Sequence, residues 1–132
     1  MSTREFGVKT SKRSEMIDIT SEIQDSIDEM GLEEGLVLVY CPHTTAGVTV
    51  NEGADPAVAK DILNKLDEII PWEGDYRHAE GNSPAHIKST LVGSSVSLWV
   101  DGGRISLGTW QKVFFCEFDG PRNRKIQVRT QG

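Results

Sequence analysis

The spacing of apolar residues along the chain predicts two main helices. The first pattern consists of four apolar residues at intervals of three or four: Ile19, Ile23, Ile27 and Met30. Thr20 is predicted to cap the start of this helix, and Gly31 is predicted to end it. The second pattern runs from Val58 to Ile69. Asp55 followed by Pro56 is typical of a helix start, and Pro71 is predicted to stop the helix.

Short alternating or β-branched runs predict strands over much of the remaining chain. These runs lie at 6–11, 36–41, 48–50, 95–100, 104–108, 110–118 and 124–130. Asp101-Gly102-Gly103 and Asp119-Gly120-Pro121 predict tight turns between them. A further short helical segment is predicted from Ala85 to Leu91. Because strands and helices do not alternate regularly, the sequence favours a single α+β domain over residues 1–132, with a mainly antiparallel sheet or sandwich.

Composition and charge narrow the classes of function. The 132 residues carry a formal net charge of −6, which disfavours a protein that coats nucleic acid or a basic membrane surface. The longest unbroken apolar run, Leu36 to Cys41, is much shorter than the roughly 20 residues that cross a bilayer, and the first residues show no apolar signal core. We therefore expect a cytoplasmic protein. Cys41 and Cys116 lie in apolar strand patterns and are predicted to be reduced core residues.

The three histidines all fall in predicted loops or at the ends of elements. His43 follows a strand, His78 lies in the aperiodic segment 71–84, and His86 comes just after a proline. Converging imidazoles can bind a divalent metal such as zinc, and nearby Glu80 can orient a histidine or move a proton. Their spacing matches no named zinc motif, so separate surface histidines are an equal interpretation.

Hydroxyl and amino groups close to two of these histidines suggest a phosphate site. Thr44, Lys88 and Ser89 supply such groups, and the helix start near Pro84 presents unpaired backbone N–H groups. Ordinary turns and an exposed lysine are the alternative interpretation. The chain has no nucleotide-binding glycine motif. Gln111 and Glu117 share one face of a predicted strand, where they can either meet solvent or face a ligand.

Four motifs together resemble the YjbQ family. They are HTTAGVTVNE at 43–52 followed by Asp55-Pro56, YRHAEGN at 76–82, AHIKSTLVG at 85–93, and GTWQ at 108–111 with Glu117 further along the strand. The resemblance covers nearly the whole chain, with the motifs in the family's order. It implies an α+β fold, assembly as a homotrimer, and a pocket near subunit boundaries that is lined by the motif histidines.

The resemblance also implies a reaction, secondary thiamine-phosphate synthesis, as a weak side activity. In this reaction a pyrimidine pyrophosphate condenses with a thiazole phosphate and pyrophosphate is released. The leading hypothesis is therefore a small enzyme acting on phosphorylated small molecules, with a divalent metal (zinc or magnesium) as its expected cofactor. A metal-dependent phosphate-ester hydrolase, a non-catalytic trimer that binds a metabolite or anion, and a purely structural trimer are the alternatives.

This hypothesis assigns roles to particular residues. The predicted metal ligands are His43, His78 and His86. The predicted catalytic residues are His78 and Glu80. The predicted substrate contacts are Thr44, Asn82, Lys88, Ser89, Gln111 and Glu117.

Overall fold

The computed structural model describes residues 2–131 and divides them into three helices and eight strands. The helices are α1 (Thr20–Met30), α2 (Pro56–Ile69) and α3 (Ser83–Val92). The strands are β1 (Ser2–Lys9), β2 (Glu15–Asp18), β3 (Gly35–Tyr40), β4 (Ala46–Glu52), β5 (Ser95–Asp101), β6 (Arg104–Ile105), β7 (Gln111–Glu117) and β8 (Asn123–Thr130). In this part of the chain, no helix is both long and apolar enough to span a membrane.

The strands form two antiparallel sheets. The larger sheet has the order β1-β8-β3-β5-β6, and the smaller has the order β2-β7-β4. Every strand pair within them is antiparallel. Together with the three helices, these sheets form a curled half-barrel, which confirms the predicted α+β class.

Two apolar cores hold the layers together. The main core lies between the sheets and α1, and it contains Val37, Val113 and Phe115. The second core packs the opposite face of the small sheet, including Phe114 and Cys116, against α2 and α3. β7 is therefore buried on both faces, since alternate residues point into different cores. Burial raises the pKa of the Cys116 thiol to about 12, in keeping with a packing role.

Several local predictions differ from the structure. Thr20 does not cap α1: Ile19 is the N-cap residue, and the Thr20 hydroxyl instead accepts the backbone N–H of Val113 from the neighbouring strand. Helix α3 is longer than predicted, because it begins at Ser83. The strand predicted at 104–108 pairs only over Arg104–Ile105.

Gly47 in β4 marks the closest approach between the small sheet and the end of α3. A Cβ atom at Gly47 would lie 2.6 Å from the backbone oxygen of Gly93. Gly47→Ala is therefore expected to lower the free energy of unfolding by about 1–3 kcal/mol, because the backbone must move to admit a methyl group. Gly7→Ala is the matched control, since a Cβ there meets its nearest atom at an ordinary 3.8 Å. Equal denaturation midpoints for the two variants would contradict this account.

Candidate functional site

Three separate chain segments meet at one cleft of about 430 Å³. They are the turn before β4, the loop leading into α3 together with the first turn of that helix, and the β7–β8 connection with the start of β8. The cleft is lined by Pro42, His43, Thr44, Thr45, His78, Glu80, Asn82, His86, Asp119, Arg122 and Arg124. The fold therefore brings all three histidines to one cleft, together with Glu80, Thr44 and Asn82.

His78 and His86 form the outer wall of the cleft. Their ring centroids are 5.2 Å apart, and the ring planes are nearly perpendicular, at 89°. His78 is exposed in the loop, whereas His86 is half-buried in the first turn of α3. The helix thus holds one imidazole against the other, and Glu80 lines the cleft beside them.

His43 is fixed by the backbone of β8. Its Nε2 atom accepts the backbone N–H of Lys125 at 2.9 Å. Pairing between β3 and β8 extends only from Val37 to Tyr40, so the His43 ring provides an acceptor beyond the end of the strand. With Nε2 accepting, the neutral ring carries its proton on Nδ1 and offers only a donor to other partners.

Burial and the nearby positive charge of Arg124 lower the pKa of His43 below its ordinary value of 6.5. The neutral ring therefore stabilises the fold fully above that value, and the contribution is lost as pH falls through the folded-state pKa. We expect the wild-type protein to lose on the order of 1 kcal/mol in this way below about pH 6.5, since protonated Nε2 cannot accept from Lys125. His43→Gln keeps an acceptor that does not titrate. Denaturation measured at several pH values should therefore show a flatter profile for the variant, and parallel profiles would contradict this role.

Glu117 and Arg124 form a buried ion pair below the cleft. Both oxygens of Glu117, which is 0% exposed, accept from Arg124, through Nε at 2.8 Å and through Nη2. The carboxylate also accepts from the Thr10 hydroxyl and from the backbone N–H groups of Phe118 and Asp119. Burial alone would raise the pKa of Glu117, but these hydrogen bonds outweigh it and the net pKa is lowered. Its acceptor positions are therefore occupied by the protein itself.

Asp119 organises a second polar group at the same cleft. Its Oδ2 accepts from Asn82 Nδ2 at 2.9 Å and from Arg122 Nη2 at 3.0 Å. A carboxylate can only accept hydrogen bonds, so the NH2 group of Asn82 points toward Asp119 and the amide oxygen Oδ1 points away from it. The remaining Asn82 Oδ1 is buried and has no hydrogen-bond partner among the described residues. Asn82 thus sits at the start of α3 with an acceptor left unused.

The predicted three-histidine metal site does not fit this arrangement. Within residues 2–131, no group of three or more His, Cys, Asp or Glu side chains is placed to hold a metal ion. One physical reason is that His43 Nε2 is already an acceptor for Lys125, which leaves a protonated nitrogen. The donors and acceptors of the cleft are therefore those of its own side chains and backbone, and metal binding stays a prediction.

Four predicted substrate contacts lie outside this cleft lining: Glu117, which is buried below the cleft, and Lys88, Ser89 and Gln111. Lys88 is 1% exposed, and its ammonium pairs with Asp67 of α2. Ser89 donates to the backbone oxygen of Ala46 at 2.6 Å and lines a neighbouring cleft that also includes Thr44 and His86. Gln111 is exposed, and its side-chain oxygen accepts the N–H of Gly108 at 2.8 Å.

Sequence reasoning missed Asp119, Arg122 and Arg124. Arg124 alternates in phase with Ile126 and Val128 on the inward face of β8, and all three are buried. An arginine at an inward position of an otherwise apolar alternation was the available signal, because a buried charge requires a partner. Arg122 lies in an irregular connection and offered no such signal.

The family model described as "UPF0047 protein YjbQ-like" matches residues 4–132. The chain belongs to this YjbQ-like family. YugU of Bacillus subtilis is 54% identical over 126 residues, which cover 95% of this chain and 96% of YugU. MJ1081 of Methanocaldococcus jannaschii is 50% identical, with 96% of this chain and 92% of the relative covered.

Solved structures of YjbQ-like relatives share the fold. A YjbQ/UPF0047 family protein from Clostridium acetobutylicum superposes with a TM-score of 0.93 at 52% identity, covering 96% of this chain and 98% of that one. The hypothetical protein APE1520 of Aeropyrum pernix gives a TM-score of 0.95 at 40% identity, covering 100% and 99%. A shared fold does not define a reaction, which depends on the residues that line the cleft of this YjbQ-like chain.

Proposed function

We propose that the protein is an enzyme that acts on phosphorylated small molecules bound in this cleft. The observation that carries the proposal is the convergence of three histidines and two arginines from separate segments on one cleft. Imidazole and guanidinium groups both bind phosphate oxygens, and imidazoles can also move protons near neutral pH. The start of α3 at the same cleft adds a favourable dipole for an anion.

The reaction we propose is the one that the family resemblance implies. A pyrimidine pyrophosphate would condense with a thiazole phosphate and release pyrophosphate, as a side activity. As the thiazole nitrogen forms a bond to the pyrimidine's side-chain carbon, the bond between that carbon and pyrophosphate breaks. Negative charge collects on the departing oxygens, and neutralising that charge is the main catalytic requirement. We assign His78 as the group that donates a proton to the leaving pyrophosphate, with Glu80 orienting the imidazole or, in the hydrolase alternative, accepting a proton from the attacking water. The packing of His86 against His78 restricts the position of that ring.

Phosphorus NMR of the purified protein with defined substrates tests this proposal. Pyrophosphate that appears only when both substrates are present indicates the condensation. Orthophosphate released from one phosphate ester alone indicates a hydrolase, the alternative reaction at the same cleft. Unchanged spectra with every phosphorylated compound after long incubation would overturn the proposal of an enzyme.

A non-catalytic anion-binding role is the second candidate. It is favoured by the inner part of the cleft, where the fixed groups of His43 and Arg124 are hydrogen-bond donors and the buried Glu117 carboxylate is fully engaged. A site that has hydrogen-bond donors but no free base is better suited to binding an anion than to abstracting a proton. Saturable phosphate binding without any product would support this role.

We further propose that the protein is cytoplasmic and forms a homotrimer. Four large apolar side chains are exposed on the outer face of the five-stranded sheet: Leu36, Leu38, Tyr40 and Trp99. We call this group the apolar sheet face. Contiguous apolar surface of this kind is typical of a protein–protein contact.

Leu38→Lys, at the centre of the apolar sheet face, tests the assembly. We expect light scattering to give a trimer mass for the wild-type protein and a monomer mass for the variant, because a buried lysine without a partner opposes association. Ile69→Lys is the control, since Ile69 is exposed on α2, outside that face. A monomeric wild-type protein, or a trimer that only the Ile69 variant disrupts, would contradict this assignment.

A further inference from the structure

We infer that Arg124 is the buried anchor for a phosphoryl group in the cleft, and that Glu117 and Thr45 are its positioning residues. This inference rests on the proposed function, because it names the side chain that binds the phosphoryl group at the same site. It also changes the role of Glu117 from a substrate contact to a group that acts through Arg124.

The hydrogen bonds of Arg124 leave one end of its guanidinium group unused. Nε donates to Glu117, and Nη2 donates to Glu117 and to Thr45, whose hydroxyl oxygen lies 2.8 Å away. Among the described residues, no hydrogen bond involves Nη1. A guanidinium group has five N–H donors, so the two on Nη1 remain available.

The unused end keeps accessible surface on a residue that lines the cleft. Arg124 is only 6% exposed and is one of the residues that line the cleft. Asn82 Oδ1 is the only fully buried side-chain nitrogen or oxygen without a partner in residues 2–131, so Nη1 retains accessible surface. An arginine that is more than nine-tenths buried and keeps two free donors at a cleft forms a preformed binding site for an anion.

The neighbouring charges favour an anion on the cleft side of the Glu117–Arg124 pair. Glu117 is fully buried, whereas its partner Arg124 keeps a small accessible surface, so the pair presents its positive end to the cleft. His43 offers a ring donor from the same lining and has no free acceptor. Donors held in fixed positions at a largely buried site interact strongly with an anion because they need little reorganisation. A terminal phosphoryl group, with several oxygens, can accept from both residues at once.

The positions of Glu117 and Thr45 explain why the geometry is fixed. The Glu117 carboxylate accepts from Nε and Nη2 along one edge of the guanidinium group, and the Thr45 hydroxyl also accepts from Nη2. Both partners are buried, so the guanidinium plane is held before any ligand arrives. A lysine at this position could pair with Glu117 or extend toward the cleft. It lacks the planar guanidinium group, which can do both at once.

Arginine side-chain NMR with inorganic phosphate as the probe tests the inference directly. We expect the Arg124 Nε–H signal of the wild-type protein to shift with added phosphate and to saturate together with the shifts of the His78 and His86 rings. Arg124→Lys should weaken phosphate binding roughly tenfold or more. Thr45→Val should weaken it less while leaving the fold intact, and Thr45→Ser should restore it, because serine keeps the hydroxyl acceptor.

The outcomes separate this inference from the proposed function. If phosphate shifts the histidine signals but leaves Arg124 unchanged, or if a folded Arg124→Lys variant binds phosphate as tightly as the wild type, the Arg124 assignment is overturned and the proposed function stands. If phosphate shifts none of the cleft signals, both are overturned. Thermal unfolding of each variant establishes whether it is folded, and equal phosphate affinities for Thr45→Val and Thr45→Ser would overturn the positioning role of Thr45.

Discussion

Replacing Glu117 by alanine is expected to lower the free energy of unfolding by about 3–5 kcal/mol, the largest stability effect that this structure predicts for one side chain. The variant would leave the Arg124 guanidinium group buried without its charge partner. It would also remove the acceptor for the Thr10 hydroxyl and for two backbone N–H groups. Chemical denaturation of the two proteins at neutral pH measures the difference.

The pH dependence of stability provides an independent check on Glu117. Its folded-state pKa is lowered below the ordinary value of 4.5, so its stabilising contribution is present above that value and is lost as pH falls through the folded-state pKa. Glu117→Gln should remove this acidic dependence. Glu5→Ala is the matched control, because Glu5 forms only an exposed ion pair with Lys125 and should cost less than about 1 kcal/mol. Similar losses for Glu117→Ala and Glu5→Ala would contradict the buried-pair account.

Replacing His78 by glutamine is expected to produce the largest loss of activity, about 10²- to 10⁴-fold in kcat, which is the usual contribution of a positioned acid or base. His78 lies on an exposed loop, so this variant should keep the wild-type denaturation midpoint. Initial rates of pyrophosphate release at saturating substrate measure the effect.

Arg77 supplies a matched control for His78. It is exposed, lies next to His78 in the same loop, and is absent from the cleft lining. Arg77→Gln should therefore retain kcat close to that of the wild type. Equal activity of His78→Gln and Arg77→Gln would contradict the proton-transfer role assigned to His78.

The sequence predicted those elements whose periodicity matches their packing. Helices α1 and α2 follow the spacing of their apolar residues, and Asp55 caps α2 by accepting the N–H of Ala57 at 2.9 Å. Strand β2 was missed because its four residues carry only two apolar side chains between charged ones. Its pairing with β7 is a tertiary contact that no local pattern encodes.

The candidate site was predictable only in part, for a related reason. His43, His78 and His86 stood out because they occupy loops and element ends, and the fold brings them to one cleft. Their sequence positions could not show that the backbone of Lys125 already occupies His43 Nε2. Nor could the sequence show that Lys88, close to His86 along the chain, turns toward Asp67 of α2. Side-chain direction depends on tertiary packing, which sequence spacing does not specify.

The role of Arg124 shows how much strand alternation can add. Glu117 and Arg124 both occupy inward positions of their strands, and such opposite charges are expected to find each other in a core. Alternation along β8 therefore indicates that Arg124 is buried, whereas β7 is buried on both faces and gives no such signal for Glu117. Which of the Arg124 donors remains free to meet a ligand depends on the geometry with Thr45, and only the folded structure provides it.

A crystal structure of the wild-type protein with inorganic pyrophosphate would show directly whether this cleft recognises phosphorylated ligands. We expect the anion to bind in the cleft, with phosphate oxygens within hydrogen-bonding distance of Arg124 Nη1 and of the His78 ring. Pyrophosphate bound only at other surfaces, with the cleft filled by solvent at saturating concentration, would contradict the claim that this cleft recognises phosphorylated ligands.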